Sequence, residues 1–194
     1  MKWQQLISSA RWGKQNTQRS ATEQRTEFQR DYDRLIFSSP FRRLQNKTQV
    51  FPLPGSVFVH NRLTHSLEVS SVGRSLGADV ARLLIPRYSG EDVVALESIS
   101  AIVSAACLAH DLGNPPFGHE GEAAIRSFFA EGEGLYLREQ LPIEVWNDIT
   151  HFDGNANTFR LLTHQFHGRR AGGFVMTYST LAAIAKYPFS SSLA

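Results

Sequence analysis

Apolar positions recur along much of the chain at three- and four-residue steps, the spacing of one face of an α-helix. Leu67, Val72, Leu76, Val80, Leu83 and Leu84 mark such a face from Thr64 to Ile85, and Pro86 forbids continuation. Gly73 and Gly77 lie four apart inside this segment; they cost helix propensity but let another backbone come close. From Glu91 to Leu112 the apolar residues cover so wide an arc that a central helix is predicted, with Gly113 terminating it and Pro115-Pro116 beyond. A further helix is predicted from near Glu120 through Phe128 and Phe129 to the break at Gly132 and Gly134. Tyr136–Trp146, Asn155–His164 and Thr180–Lys186 read as three more, and Trp12–Phe37 as a polar stretch that is helical in part. Only residues 47–59 pattern as extended chain, and Pro52 and Pro54 interrupt them, so a loop or at most a short β-hairpin near 48–59 is expected there. The prediction is an all-α protein.

Composition narrows the class. The 194 residues are 42% apolar and 20% charged, ordinary globular usage that excludes disorder and collagen-like architecture. The longest uncharged run near the middle, Ser98–Ala109, is shorter and more polar than the about 20 apolar residues a bilayer needs, so no membrane partner is expected. Residues 1–19 hold no apolar core of a secretory signal, and Cys107 is the single cysteine, which fits a reducing, cytoplasmic setting. Charge is uneven: the total is +2, yet the first 50 residues carry ten Lys/Arg against four acids. Such a segment either attracts a polyanion, single-stranded nucleic acid included, or is a solvated helix surface. The charges are spread out and do not decide between these.

Three residues offer chemistry. His65 lies near the start of one long predicted helix, and the pair His110-Asp111 at the end of another. Imidazole nitrogen and carboxylate oxygen are common ligands of divalent ions, and a pair leaving helical geometry can aim both side chains at one ion. A single histidine on an apolar face is more often a hydrogen-bonded core residue, so the weight rests on context. That context is the run from His110 through Asp111, Leu112, Gly113, Asn114, Pro115, Pro116, Phe117, Gly118 and His119 to Glu122. A rigid loop on a helical frame is a natural place for a site. His119 and Glu122, three apart, face the same way on one turn; they form either an acid/base pair or an acidic helix start that favours the helix dipole.

The spacing His65, then His110-Asp111, resembles the H…HD…D pattern of the HD-domain metallophosphohydrolases. Phe41–Gln45, Lys47–Phe51, Asn61–Val69 and His110–Glu122 resemble, more narrowly, the deoxyguanosine triphosphate triphosphohydrolases, and Phe152–Ala156 with Lys186-Tyr187-Pro188 extends the match to roughly residues 30–190. The resemblance implies an HD-type helical fold with a basic N-terminal segment over 1–29 and the N-terminal part of a catalytic domain over 30–194. It implies hydrolysis of dGTP or another dNTP to the deoxynucleoside and inorganic triphosphate, by a homo-oligomer. His65, His110 and Asp111 would hold the divalent ion (Mg, Mn, Fe, Co or Ni), and His119 with Glu122 would serve the attacking water or the leaving group. Gln49 would face the deoxyribose 3′-hydroxyl and Arg62 would grip phosphate, with Asn155, Lys186 and Tyr187 as further substrate contacts. Without the surrounding motif, Arg62 and Lys186 would read as surface cations.

One feature of the family pattern is missing. Its fourth ligand is an aspartate on a later helix, and the only acids after Glu144 are Asp148 and Asp153, neither a good substitute. The chain is therefore expected to be the N-terminal part of a longer enzyme, cut before the final ligand helix and not active alone. Alternatives are an HD-type nucleotide phosphohydrolase releasing phosphate, or a non-catalytic nucleotide- or nucleic-acid-binding module.

Overall fold

The computed structural model describes residues 2–14, 23–47, 61–168, 171–187 and 189–191. The expected hairpin near 48–59, and Gln49 with it, lie outside the described residues. Among the described residues ten α-helices follow in order: α1 Trp3–Leu6, α2 Glu27–Ile36, α3 Ser39–Arg43, α4 Arg62–Leu84, α5 Glu91–Glu97, α6 Ile99–Ala109, α7 Gly118–Ala130, α8 Ile143–Thr150, α9 Gly154–Thr163 and α10 Tyr178–Ile184. Short 3-10 turns cover Leu44–Asn46, Ile85–Arg87 and Glu133–Glu139. Among the described residues there is no strand, only isolated bridges from Arg11 to Lys14 and to Thr177. The all-α expectation holds.

Local chemistry sets the helix starts. Asn61 caps α4, its side chain accepting from the Thr64 amide while the Thr64 hydroxyl receives the Asn61 amide. Thr26 and Gln29 make the same reciprocal box on α2, Asp153 caps α9 and Thr177 caps α10. The core gathers Leu35 of α2, Phe41 of α3, Leu44, Ala105, Leu108 and Ala109 of α6, and Leu162, Met176 and Leu181 from the C-terminal elements. Helix α6 is its axis, packed by α4, α2 and α10. Glu91–Ala109 as a whole is long and apolar enough to cross a membrane by length and composition, more than its uncharged run alone implies. Its second half is the buried centre of this bundle, with Ala105, Leu108 and Ala109 fully inside.

Five expectations need correction. The Glu91–Leu112 helix is two, α5 and α6, separated at Ser98, and it ends at Ala109. Gly113 does not cap it; it serves close packing, described below. Tyr136–Trp146 is not one helix, because Pro142 divides the Glu133–Glu139 turn from α8. The third helix starts at Gly118, two residues early, after Phe117 takes a left-handed φ of 66°. The largest correction concerns α4, where Val72, Leu76, Val80 and Leu83 are exposed at 46–71%. The buried face carries Arg62, Ser66, Ser70, Gly73, Gly77 and Ala81 instead. Small side chains let α4 lie almost backbone to backbone on α6: a Cβ at Gly77 would sit 2.9 Å from Ser100 Cα, and one at Gly73 2.6 Å from Cys107 Sγ. The Ser70 hydroxyl donates 2.8 Å to the Ser104 carbonyl within this seam.

Candidate metal centre

This close seam brings two distant parts of the sequence together. His65 stands on the first turns of α4, and His110 and Asp111 where α6 gives out; one ligand atom from each lies within 4.8 Å of the others. The two imidazoles meet edge to face with centroids 5.3 Å apart. His110 Nδ1 donates 2.7 Å to the carbonyl of Cys107, which leaves Nε2 with its lone pair free. That nitrogen lies 3.4 Å from Asp111 Oδ1, a separation that suits two donors each about 2.1 Å from a shared ion. Two imidazoles with a carboxylate form a donor set that fits a first-row divalent cation. Among the described residues this is the one His/Cys/Asp/Glu group close enough to hold such an ion. Asp148 and Asp153 stand apart from it: Asp148 accepts from the Ser191 hydroxyl, and Asp153 caps α9.

The surroundings orient the ligands. Asp111 is buried; its Oδ2 accepts from Arg62 Nη1 at 2.7 Å and its Oδ1 from Asn114 Nδ2 at 2.5 Å. Arg62 is itself 3% exposed, and its Nε has no partner among the described residues. It is thus no surface cation. Helix α9 grips the loop after Asp111: the Gly113 amide donates to Thr158 Oγ1 at 2.8 Å, and Asn157 Nδ2 donates to the Gly113 carbonyl at 2.8 Å. A side chain at Gly113 would place Cβ 2.2 Å from the Thr158 nitrogen, and one at Gly121 would place it 2.0 Å from the Pro116 oxygen. Gly113 and Gly121 of this motif are there for contact with neighbouring backbone.

Asp111 and Arg62 also line a pocket of about 360 Å³, together with Asn114, His119 and Glu122. His119 Nδ1 donates 3.0 Å to Glu122 Oε2, with the imidazole 97% exposed and the carboxylate buried. The other Glu122 oxygen accepts from the Gly154 amide at 2.8 Å, so the pair is both partners and a brace between α7 and α9. Behind His110 lies a smaller, more apolar cleft of about 230 Å³, lined in part by Val103, Cys107, Asn155 and Ile184. Asn155 therefore shares a cleft with His110, whereas His119 shares its pocket with Asp111. Lys186 and Tyr187 reach the same end of α9, where the Tyr187 hydroxyl donates 3.1 Å to Asp153 Oδ2 and Lys186 Nζ lies 5.1 Å over the Tyr187 ring. The hydrogen bond with Tyr187 raises the Lys186 pKa. Burial pushes Asp153 up, but the amides of Ala156 and Asn155 and the Tyr187 hydroxyl outweigh it, and the carboxyl lies below its ordinary value.

A family model of the HD domain matches residues 62–166, from the first residue of α4 to just past α9. The chain belongs to the HD-domain family. Proteins named deoxyguanosinetriphosphate triphosphohydrolase-like from Synechocystis sp., Pseudomonas aeruginosa and Listeria monocytogenes are 48%, 43% and 39% identical to it, each over 98% of this chain. The chain spans only 42–43% of the length of these relatives. The matched HD segment contains His65, His110, Asp111, His119, Glu122 and Asn155, while Lys186, Tyr187 and Gln49 lie outside it.

Sequence reasoning overlooked two residues of this HD-domain site. Asn114 was visible only as part of a loop, and Lys47 only as a neighbour of Gln49. Lys47 Nζ donates to the carbonyls of Asn114 at 2.8 Å and Leu112 at 3.4 Å. Burial, then the nearby Arg62 cation, lowers its pKa, against a smaller pull from Asp111. Three of the N-terminal cations pair with acids: Arg11 with Glu27 and Asp31, Arg25 with Glu23 and Asp33, and Arg30 with Glu27.

Proposed function

We propose that the protein, in the length its relatives have, hydrolyses dGTP or another deoxynucleoside triphosphate to the deoxynucleoside and inorganic triphosphate. The observation that carries this reading is the meeting of His65, His110 and Asp111 beside a pocket walled by Arg62 and the His119–Glu122 pair. A divalent ion held by the first three would supply positive charge to phosphate oxygens and acidify a water, from about 15.7 towards roughly 7–9.

The remaining work falls to the chain's own groups. Arg62 lines the pocket, where its guanidinium adds positive charge for a phosphate oxygen. Glu122 holds the His119 Nδ1 proton, which leaves His119 Nε2 to take or give a proton at the water or the 5′-oxygen. In-line displacement at the α-phosphorus then breaks the bond to the nucleoside 5′-oxygen. Lys186 and Tyr187, set at the start of α9, and Asn155, in the apolar cleft, are further contacts for the nucleotide. Gln49 keeps the role its motif implies, at the 3′-hydroxyl. No Gly-x-x-x-x-Gly-Lys-Ser/Thr loop occurs in the sequence to cradle the phosphates, which leaves that task to these side chains.

Product identity tests the reading. Incubated with dGTP and Mn²⁺, the full-length protein is expected to yield deoxyguanosine and tripolyphosphate in equal amounts. Release of dGDP or dGMP with phosphate or pyrophosphate would instead assign a phosphohydrolase of a different bond. No turnover of any dNTP would leave a binding module.

A further inference from the structure

Asp111 is the only acid in the candidate metal group, so the aim of its carboxylate decides whether three ligands meet. Neither oxygen is free to turn. Arg62 Nη1 holds Oδ2, and Asn114 Nδ2 holds Oδ1, the oxygen that faces His110 Nε2. Asn114 is in turn fixed on three sides. Its amide donates to the Asp111 carbonyl at 3.2 Å, its carbonyl receives Lys47 Nζ, and its side-chain oxygen lies against Gly154, where a Cβ would come within 1.9 Å of it. Lys47 also reaches the Leu112 carbonyl, and its own carbonyl accepts from the Arg62 amide at 3.2 Å. One lysine thus ties together the start of α4, which supplies Arg62, and the turn that supplies Asn114.

We propose that Asn114 and Lys47 are positioning residues for the metal-binding carboxylate: Asn114 fixes the Asp111 oxygen that faces His110, and Lys47 locks the turn that carries Asn114. The inference rests on the reading of His65, His110 and Asp111 as a metal site. It predicts that these two side chains tune metal affinity without touching the ion, as groups behind a ligand do.

The test is Mn²⁺ titration of the full chain and of four variants, with thermal unfolding in chelator as the check on folding. Asn114→Ala is expected to weaken Mn²⁺ binding about 10-fold or more, and Lys47→Met roughly threefold. Lys47→Arg, which can still donate to both carbonyls, is expected to recover most of the Lys47→Met loss. At saturating Co²⁺ the visible absorption of Asn114→Ala should differ from wild type, a change that a purely structural role would not produce. If wild type binds Mn²⁺, Asp111→Ala abolishes binding, and folded Asn114→Ala and Lys47→Met bind within twofold of wild type, the positioning role is wrong while the metal site stands. If wild type binds no Mn²⁺, the underlying reading fails. Should Asn114→Ala not fold, Lys47→Met and Lys47→Arg decide between the same outcomes.

Discussion

A histidine becomes a ligand through what holds its other nitrogen. The Cys107 carbonyl receives the His110 Nδ1 proton, and Asn114 and Arg62 share the Asp111 oxygens, so two of the three candidate donors would be aimed before any ion arrives. The glycines of the same loop provide the space this requires. Gly113 lies against the backbone of α9 and has no room to retreat, because the obstructing atoms are Thr158 N and the Gly154 carbonyl. Gly113→Ala is therefore expected to destabilise the fold by about 1–3 kcal/mol, as overpacking against fixed backbone does. Urea unfolding of the variant checks this, and a midpoint equal to wild type would count against the contact. His65, His110 and Asp111, which the fold brings together, stood out in the sequence through residue type joined to the run that follows His110. Lys47 and Asn114 were not, because a lysine bonded to two carbonyls and an asparagine bonded to a carboxylate look like any polar loop residues until the turn is folded.

At the scale of elements, the caps and breaks could be read and the buried faces could not. Pro86 and the Pro115-Pro116 pair marked helix ends that the fold keeps within a few residues. The apolar stripe of α4 misled, because the face chosen for packing is the one with the smallest side chains, and close backbone approach outweighed the area of Val72, Leu76, Val80 and Leu83. Gly73 and Gly77 were the signal that could have pointed to the buried face. Helix α9 shows how an element end contributes in another way. Asp153 accepts from the Asn155 amide at 2.7 Å and the Ala156 amide at 3.1 Å, and these bonds hold its pKa below the model-compound value of 3.8. Its folded pKa is depressed, so its contribution is fully present above the unfolded pKa and lost as pH falls through the folded one. Asp153→Ala should cost about 1 kcal/mol at pH 7, the usual worth of an N-cap, and the deficit should shrink as pH drops below 3.8. Urea midpoints at pH 7 and in the acid range measure it; a deficit that grows on acidification would contradict the cap.

Across the whole molecule, the α4–α6 seam joins positions 65 and 110, and α9 closes over the loop between the second histidine and α7. The long-range pairing behind this site follows from two small-residue faces and a helix that ends on time. It was inferable only as a requirement, because nothing local in the sequence states which helices touch. The most direct test is an anomalous diffraction map of the Mn²⁺-soaked crystal. The account predicts a single strong peak about 2 Å from an imidazole nitrogen of His65, from His110 Nε2 and from an Asp111 carboxylate oxygen. A peak that leaves His65 out of coordination, or none near these three side chains, would contradict it.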